Sequence, residues 1–258
     1  MTPNQLNGLS VLVPRPYPMG ISIAKKIDAI GGSAFQFPVI EILEPENFEQ
    51  LDRLLKHLDQ IDMLIFVSVS AVEGFANYLK QRNIVMPNET QVSVMGPTSA
   101  KRCKEVGLPV NFVPKKSTDT EGLLELLANR NLNSKQVVIL RGQDGRGKLK
   151  IGLEQMGAQV EYVQCYRRII TTKSIGPLLK QFENEKINLI LISSVSILES
   201  LIKLMGKKQI KKINSIPILT ISARIQDACY KIGFKQVIVS EGVEESALLN
   251  AMIKLVNA

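Results

Sequence analysis

Short apolar runs, four to six residues long and bounded by proline, glycine or polar turns, alternate along this chain with stretches whose apolar positions recur at helical spacing. Runs of that length and character read as buried parallel strands, and the stretches between them as helices laid against the sheet. The opening third predicts a strand over Ser10–Pro14, a Pro/Gly-rich turn, a helix over Ile21–Ile30 and a strand over Ala34–Ile40. The same succession returns later as Gln136–Leu140, the loop Gly142–Gly147, a helix over Leu149–Met156 and a strand over Gln159–Tyr166. Gly31 and Gly157, each just past a predicted helix, are natural C-terminal caps.

Two further segments also occur twice. DMLIFVSVSAVEGFANYL and NLILISSVSILESLIKLM each run from an apolar strand into a helix start. Ser70 with Glu73, and Ser196 with Glu199, have the spacing of a capping box. QVSVMGPTSAKRCKEVGLPVNFVP matches IPILTISARIQDACYKIGFKQVIVS as strand, tight turn, helix, glycine cap and short strand. A final helix near Glu121–Ala128 and another over Glu245–Val256 complete the two copies. One constant shift of 126 residues carries Arg15 to Arg141, Gly31 to Gly157, Ser68 to Ser194, Ser70 to Ser196, Gly96 to Ser222 and Gly107 to Gly233. The chain is therefore an internal duplication of one α/β unit, and each copy suits a five-stranded, flavodoxin-like parallel sheet. Paired lobes commonly enclose a ligand cleft, so function is expected between them.

Composition narrows the chemistry. Apolar residues make up 45% and charged residues 22% of the 258, the balance of an ordinary globular protein. No apolar run approaches the ~20 residues that cross a bilayer, and the polar start MTPNQLNGLS lacks a signal pattern, so the expectation is a cytoplasmic protein. Cys103, Cys165 and Cys229 have no paired spacing, which predicts reduced thiols and no structural zinc site. Cys103 and Cys229 fall at equivalent apolar helical positions and read as core. With one histidine, His57, on an amphipathic stretch where a solvated role is expected, a histidine-dependent triad has a single poor candidate and multi-histidine metal sites are excluded. The net charge of +8 suggests an anionic partner. Lysines concentrate only at Lys207, Lys208, Lys211 and Lys212, which read as a solvated face. No tryptophan and no aromatic–basic interleaving supports a nucleic-acid platform.

In an open parallel sheet, ligands bind beyond the carboxyl ends of the strands. The residues predicted there are Arg15, Ser68, Ser70, Gly96, Thr98, Ser99, Arg141, Gly142, Ser193, Ser194, Ser196, Ser222 and Arg224. Small hydroxyl residues and glycines at helix starts expose backbone amides, which hold carboxylates or phosphates without a stack of lysines. Nucleotide-binding signatures are absent: RGQDGRGKLK has glycines but not the spacing of a phosphate loop. The first strand ends in Pro14-Arg15-Pro16 and not in the acids of a phosphoacceptor domain. A polyanionic small molecule fits this set.

The ordered succession VLVPRP, IFVSVSAV, VMGPTSAKRCKEVG, VVILRG with GRGKL, GAQVEYVQCYRR and LISSVSILES resembles that of the uroporphyrinogen-III synthases, over about Gly8 to Val256. The Tyr-Arg-Arg is its sharpest element. That resemblance implies two flavodoxin-like lobes joined by a two-stranded antiparallel connector. Lobe one would then hold 1–37 and 168–258 and lobe two 38–167, with connecting strands near 35–42 and 161–168. It implies a cofactor-free monomeric lyase that dehydrates and cyclises hydroxymethylbilane, a linear tetrapyrrole bearing many carboxylates, with inversion of the terminal ring through a spiro intermediate. It also implies no metal, no membrane and no nucleic acid; a transient contact with the enzyme that makes hydroxymethylbilane stays open. Tyr166 matches the family's tyrosine on the connector, and a phenol, protonated at neutral pH, could assist the departing hydroxyl. Arg224, where the first copy has Thr98, departs from the common pattern. A non-catalytic two-lobed binding or sensory protein for an acidic metabolite remains the alternative reading.

Overall fold

Val11–Val13, Leu64–Phe66, Val137–Leu140 and Leu189–Ile192 are buried throughout, as residues of a strand covered on both faces must be. In a computed structural model, which describes residues 4–115, 117, 119–143 and 147–257, these runs form the centres of two parallel sheets. The elements in chain order begin with β1 (Ser10–Val13), α1 (Met19–Ala29), β2 (Ser33–Gln36) and β3 (Ile40–Leu43). Next come α2 (Glu49–Lys56), a 3-10 turn at Leu58–Gln60, β4 (Met63–Phe66), α3 (Val69–Arg82), β5 (Gln91–Val94), α4 (Pro97–Glu105) and α5 (Thr120–Leu127). Then follow β6 (Gln136–Arg141), α6 (Lys148–Gln155), β7 (Gln159–Gln164), β8 (Arg167–Ile170) and α7 (Gly176–Glu183). The chain closes with β9 (Leu189–Ile192), α8 (Val195–Ile213), β10 (Ile218–Thr220), α9 (Ala223–Ile232), β11 (Val237–Val239) and α10 (Glu245–Val256).

The chain divides into two compact units, one of Met1–Glu41 with Ile169–Ala258 and the other of Ile42–Arg168. The first carries a five-stranded sheet in the order β11-β10-β9-β1-β2, all parallel. Read from the other edge this is the 2-1-3-4-5 order of a flavodoxin-like sheet. The second carries β5-β4-β6-β7. Under the 126-residue shift, β6, β7, β4 and β5 stand where β1, β2, β9 and β10 stand in the first unit, so the spatial order is shared although the chain enters it at a different point. The fifth strand of the second unit is reduced to one parallel bridge, Ser93 to Phe112. Pro109 and Pro114 flank it and cannot donate to a ladder.

Alternate strand residues serve opposite cores, as a period of two requires. In the second unit Leu64, Phe66, Val138 and Leu140 pack with α3 residues such as Val72 and Phe75, while Met63, Ile65, Val137 and Ile139 pack with Leu123, Leu127 and Leu153 of α5 and α6. In the first unit Val11, Val13, Leu189, Leu191 and Leu219 meet Ile23 and Ile27 of α1 and Leu248 and Met252 of α10. Gly31 and Gly157 follow α1 and α6, both at φ +88°, the left-handed conformation a helix stop favours in glycine. Cys103 and Cys229 are buried core residues, as is Cys165. Lys207, Lys208, Lys211 and Lys212 are exposed on α8, beyond a break at Gly206.

Three expectations need correction. The strands predicted over Ala34–Ile40 and Gln159–Tyr166 each end early. The first stops at Gln36, although the Phe37 and Val39 amides still reach the Val13 and Pro14 carbonyls, and resumes as β3; the second stops at Gln164 and resumes as β8. β3 and β8 form the separate two-stranded antiparallel sheet, overlapping the far ends of the connector segments expected. Ser70 and Ser196 are not the helix caps. Ser68 and Ser194 are, because α3 and α8 begin two residues sooner, and each hydroxyl accepts the amide three residues on, at 3.1 Å from Ala71 and 3.2 Å from Ile197. Glu73 turns instead to Arg102 of α4, at 3.0 Å.

Candidate active site

Each of the two parallel sheets has one switch point, where neighbouring strands send their connections to opposite sides, and the gap at their carboxyl ends is where a ligand can enter. In the first unit it lies between β1 and β9. Arg15, just beyond β1, donates from Nε to Ser193 Oγ, just beyond β9, at 3.0 Å. Burial pushes the Arg15 guanidinium below its usual pKa, with Glu245 pulling it back up. Among the described residues Arg15 makes no ion pair, so this half-buried cation stands at the strand ends without a directly bonded carboxylate. Ser194 caps α8, and Ser196 meets it at 3.0 Å between hydroxyls. Ser222 stands at the start of α9 without a side-chain cap bond, and Arg224 is exposed in that helix's first turn.

The second unit has its switch point between β4 and β6, and there it differs. The phenol of Tyr166 fills the gap. Its hydroxyl lies 3.2 Å from Ser68 Oγ beyond β4, and its ring rests against Gly142 beyond β6, where an added Cβ would stand 2.9 Å from two ring carbons. Gly74 of α3 makes the neighbouring backbone fit: a Cβ there would reach 2.3 Å from the Cys165 carbonyl oxygen. Tyr166 is consequently only 4% exposed. Arg168, exposed two residues on, donates from Nη2 to the phenol oxygen at 3.1 Å. Arg141 donates to the Gly142 carbonyl at 3.3 Å and stacks over Tyr162, 4.6 Å from the ring centre.

The remaining predicted residues of this unit sit at helix starts. Gly96 precedes α4 in extended conformation, followed by Pro97, exposed Thr98 and buried Ser99. Ser70, like Ser99, is buried, so what the two offer at the strand ends is backbone amide and not hydroxyl. The rest of the loop predicted over Gly142–Gly147, residues 144–146, lies outside the described residues. Among the described residues no group of three His, Cys, Asp or Glu side chains is placed to hold a metal ion, and no helix is long and apolar enough to cross a membrane. His57 is exposed at the end of α2. Arg168 and Gly74 were not among the predicted site residues. The Tyr-Arg-Arg run named the first without a role, and no pattern in the sequence marked the second.

A buried phenol bonded to a cap hydroxyl and an arginine can give up a proton beside an anionic ligand. Comparison with known proteins agrees in kind: residues 21–250 match the family model described as uroporphyrinogen-III synthase HemD. The chain belongs to the uroporphyrinogen-III synthase family. Relatives include the uroporphyrinogen-III synthase of Escherichia coli, 25% identical over 245 residues, covering 95% of this chain and all of that one. A putative uroporphyrinogen-III synthase of Methanothermobacter thermautotrophicus is 30% identical over 200 residues, 76% of this chain and 78% of its own. Among solved structures, a mutant uroporphyrinogen III synthase of Thermus thermophilus shares the fold with TM-score 0.63 at 17% identity, over 97% of this chain and all of that one. The Tyr-Arg-Arg run of this uroporphyrinogen-III synthase family member thus falls at the switch point of the second unit.

Proposed function

We propose that this protein converts hydroxymethylbilane to uroporphyrinogen III, closing the linear tetrapyrrole with its terminal ring inverted and releasing water. The observation that carries the reading is the Tyr166 phenol at the second switch point, packed on Gly142 and bonded to Ser68 and Arg168. The substrate bears acetate and propionate carboxylates on every pyrrole, and a protein of net charge +8 draws such a molecule in. Helix-start amides near Ser68, Gly96, Thr98 and Ser99 in one unit, and near Ser193, Ser194 and Ser222 in the other, hold carboxylates, with Arg15, Arg141 and Arg224 adding charge.

In this mechanism Tyr166 gives its proton to the terminal hydroxyl as the carbon–oxygen bond breaks, so water departs and an azafulvene cation remains. The substituted carbon of the far ring attacks that cation and forms a spiro intermediate, which fragments and recloses with the ring reversed. Free substrate loses water and cyclises unaided to the uninverted isomer, so the protein must make the inverted path the near one. Orientation supplies that, and one acid adds to it.

Incubation with hydroxymethylbilane followed by separation of the isomers tests the reading. Type III product formed faster than type I appears in buffer supports it. Type I alone, at the buffer rate, leaves a binding or sensory protein in its place.

A further inference from the structure

Arg168 is an exposed arginine that makes no ion pair among the described residues, although Arg167 beside it is bonded to the Glu44 carbonyl and to Glu46. Its guanidinium lies instead on Tyr166, with Nη2 3.1 Å from the phenol oxygen and the central carbon 5.5 Å from the ring centre. A guanidinium can only donate, so this contact occupies a lone pair of the phenol oxygen and turns the phenol hydrogen elsewhere. Ser68 Oγ, 3.2 Å away, already accepts the Ala71 amide and keeps its own hydrogen free for that same oxygen. Two donors then converge on one oxygen, an arrangement that favours the oxygen when it carries negative charge.

The duplication sharpens the point. The 126-residue shift sets Ser194 against Ser68, but Ile40 against Tyr166, Ile42 against Arg168, Pro16 against Gly142 and Ser200 against Gly74. The cap hydroxyl exists in both units. The phenol, its arginine, the glycine that admits the ring and the glycine that admits the backbone before it exist in the second alone.

We propose that Arg168 is a positioning residue, which with Ser68 aims the Tyr166 proton away from the protein and holds the phenolate left behind. The proposal rests on Tyr166 being the acid. As the phenol O–H bond breaks, its proton goes to the substrate hydroxyl, and the C–O electron pair leaves with the new water. The phenolate waits under Arg168 and Ser68. When the far pyrrole closes, its α-carbon loses a proton, and the phenolate takes it up.

The test compares Arg168→Ala, Arg168→Lys, Tyr166→Phe and the double variant Tyr166→Phe/Arg168→Ala in type III formation from hydroxymethylbilane, with and without tens of millimolar guanidinium chloride. Arg168→Ala is expected to lower kcat by roughly 10- to 100-fold, the range of one donor to a developing anion, with little change in KM. Lysine should restore part of the loss, and added guanidinium several-fold. Neither the alanine nor the guanidinium should change the rate in the Tyr166→Phe background. A rise in KM at constant kcat would make Arg168 a carboxylate clamp, and equal losses in both backgrounds, or no rescue, would overturn the proposal. A slow Tyr166→Phe beside a wild-type Arg168→Ala removes Arg168 alone. A wild-type Tyr166→Phe removes the acid and this proposal with it.

Discussion

Gly142 acts by having no side chain. A methyl group there would stand 2.9 Å from two carbons of the Tyr166 ring, far inside contact distance, so the ring must move. Gly142→Ala is expected to cost about 1–3 kcal/mol, the range for overpacking, and to lower kcat at least as far as it displaces the phenol. Steady-state rates and urea unfolding of the variant check this; wild-type values for both would show the ring is not seated against residue 142. The cysteines offer a prediction of a different kind. Burial pushes the Cys103 and Cys229 thiols up to about 11. Folding therefore favours the protonated thiol, and this contribution is whole below the ordinary cysteine pKa and lost as pH rises through about 11. The urea midpoint should fall between pH 9 and 11 more steeply in wild type than in Cys103→Ala. Parallel curves would contradict the burial of that thiol.

Helix starts are where element and chemistry meet. Both units place a serine cap at the carboxyl end of a central strand, Ser68 before α3 and Ser194 before α8. Replacing either with alanine should cost about 1 kcal/mol, the usual value of an N-cap. Their effects on turnover should diverge: Ser68→Ala is expected to lower kcat because its hydroxyl also meets the phenol, whereas Ser194→Ala should act through KM. Thermal melts with steady-state kinetics separate the two, and identical kinetic losses would deny Ser68 its second role. The caps were misread from sequence by two residues for a physical reason. Each segment holds two serines, and the Glu73 that seemed to complete a capping box is drawn sideways by Arg102. Likewise, the run over Ala34–Ile40 looks continuous in hydropathy, and no change of polarity marks Gln36 as the end of β2.

At the scale of the whole molecule, the fold was legible because duplication repeats its constraints: glycine stops such as Gly31 and Gly157 and serine caps keep one register across both copies. Which residues stand at the strand ends was legible for the same reason. What duplication cannot show is where the copies differ, and the proposed acid lies there. Tyr166 came forward through family likeness, but its seat on Gly142, the approach that Gly74 permits and the hydrogen bond from Arg168 are contacts between residues far apart in sequence or without a pattern of their own. In the proposed mechanism two sheets of one strand order divide the work, the first offering charge and amides and the second adding an acid. The rate of type III formation by Tyr166→Phe, set beside wild type under single turnover, tests that division most directly. A fall of about 100-fold or more, within the range for a lost general acid and with folding intact, is what the account predicts. An unchanged rate would contradict it.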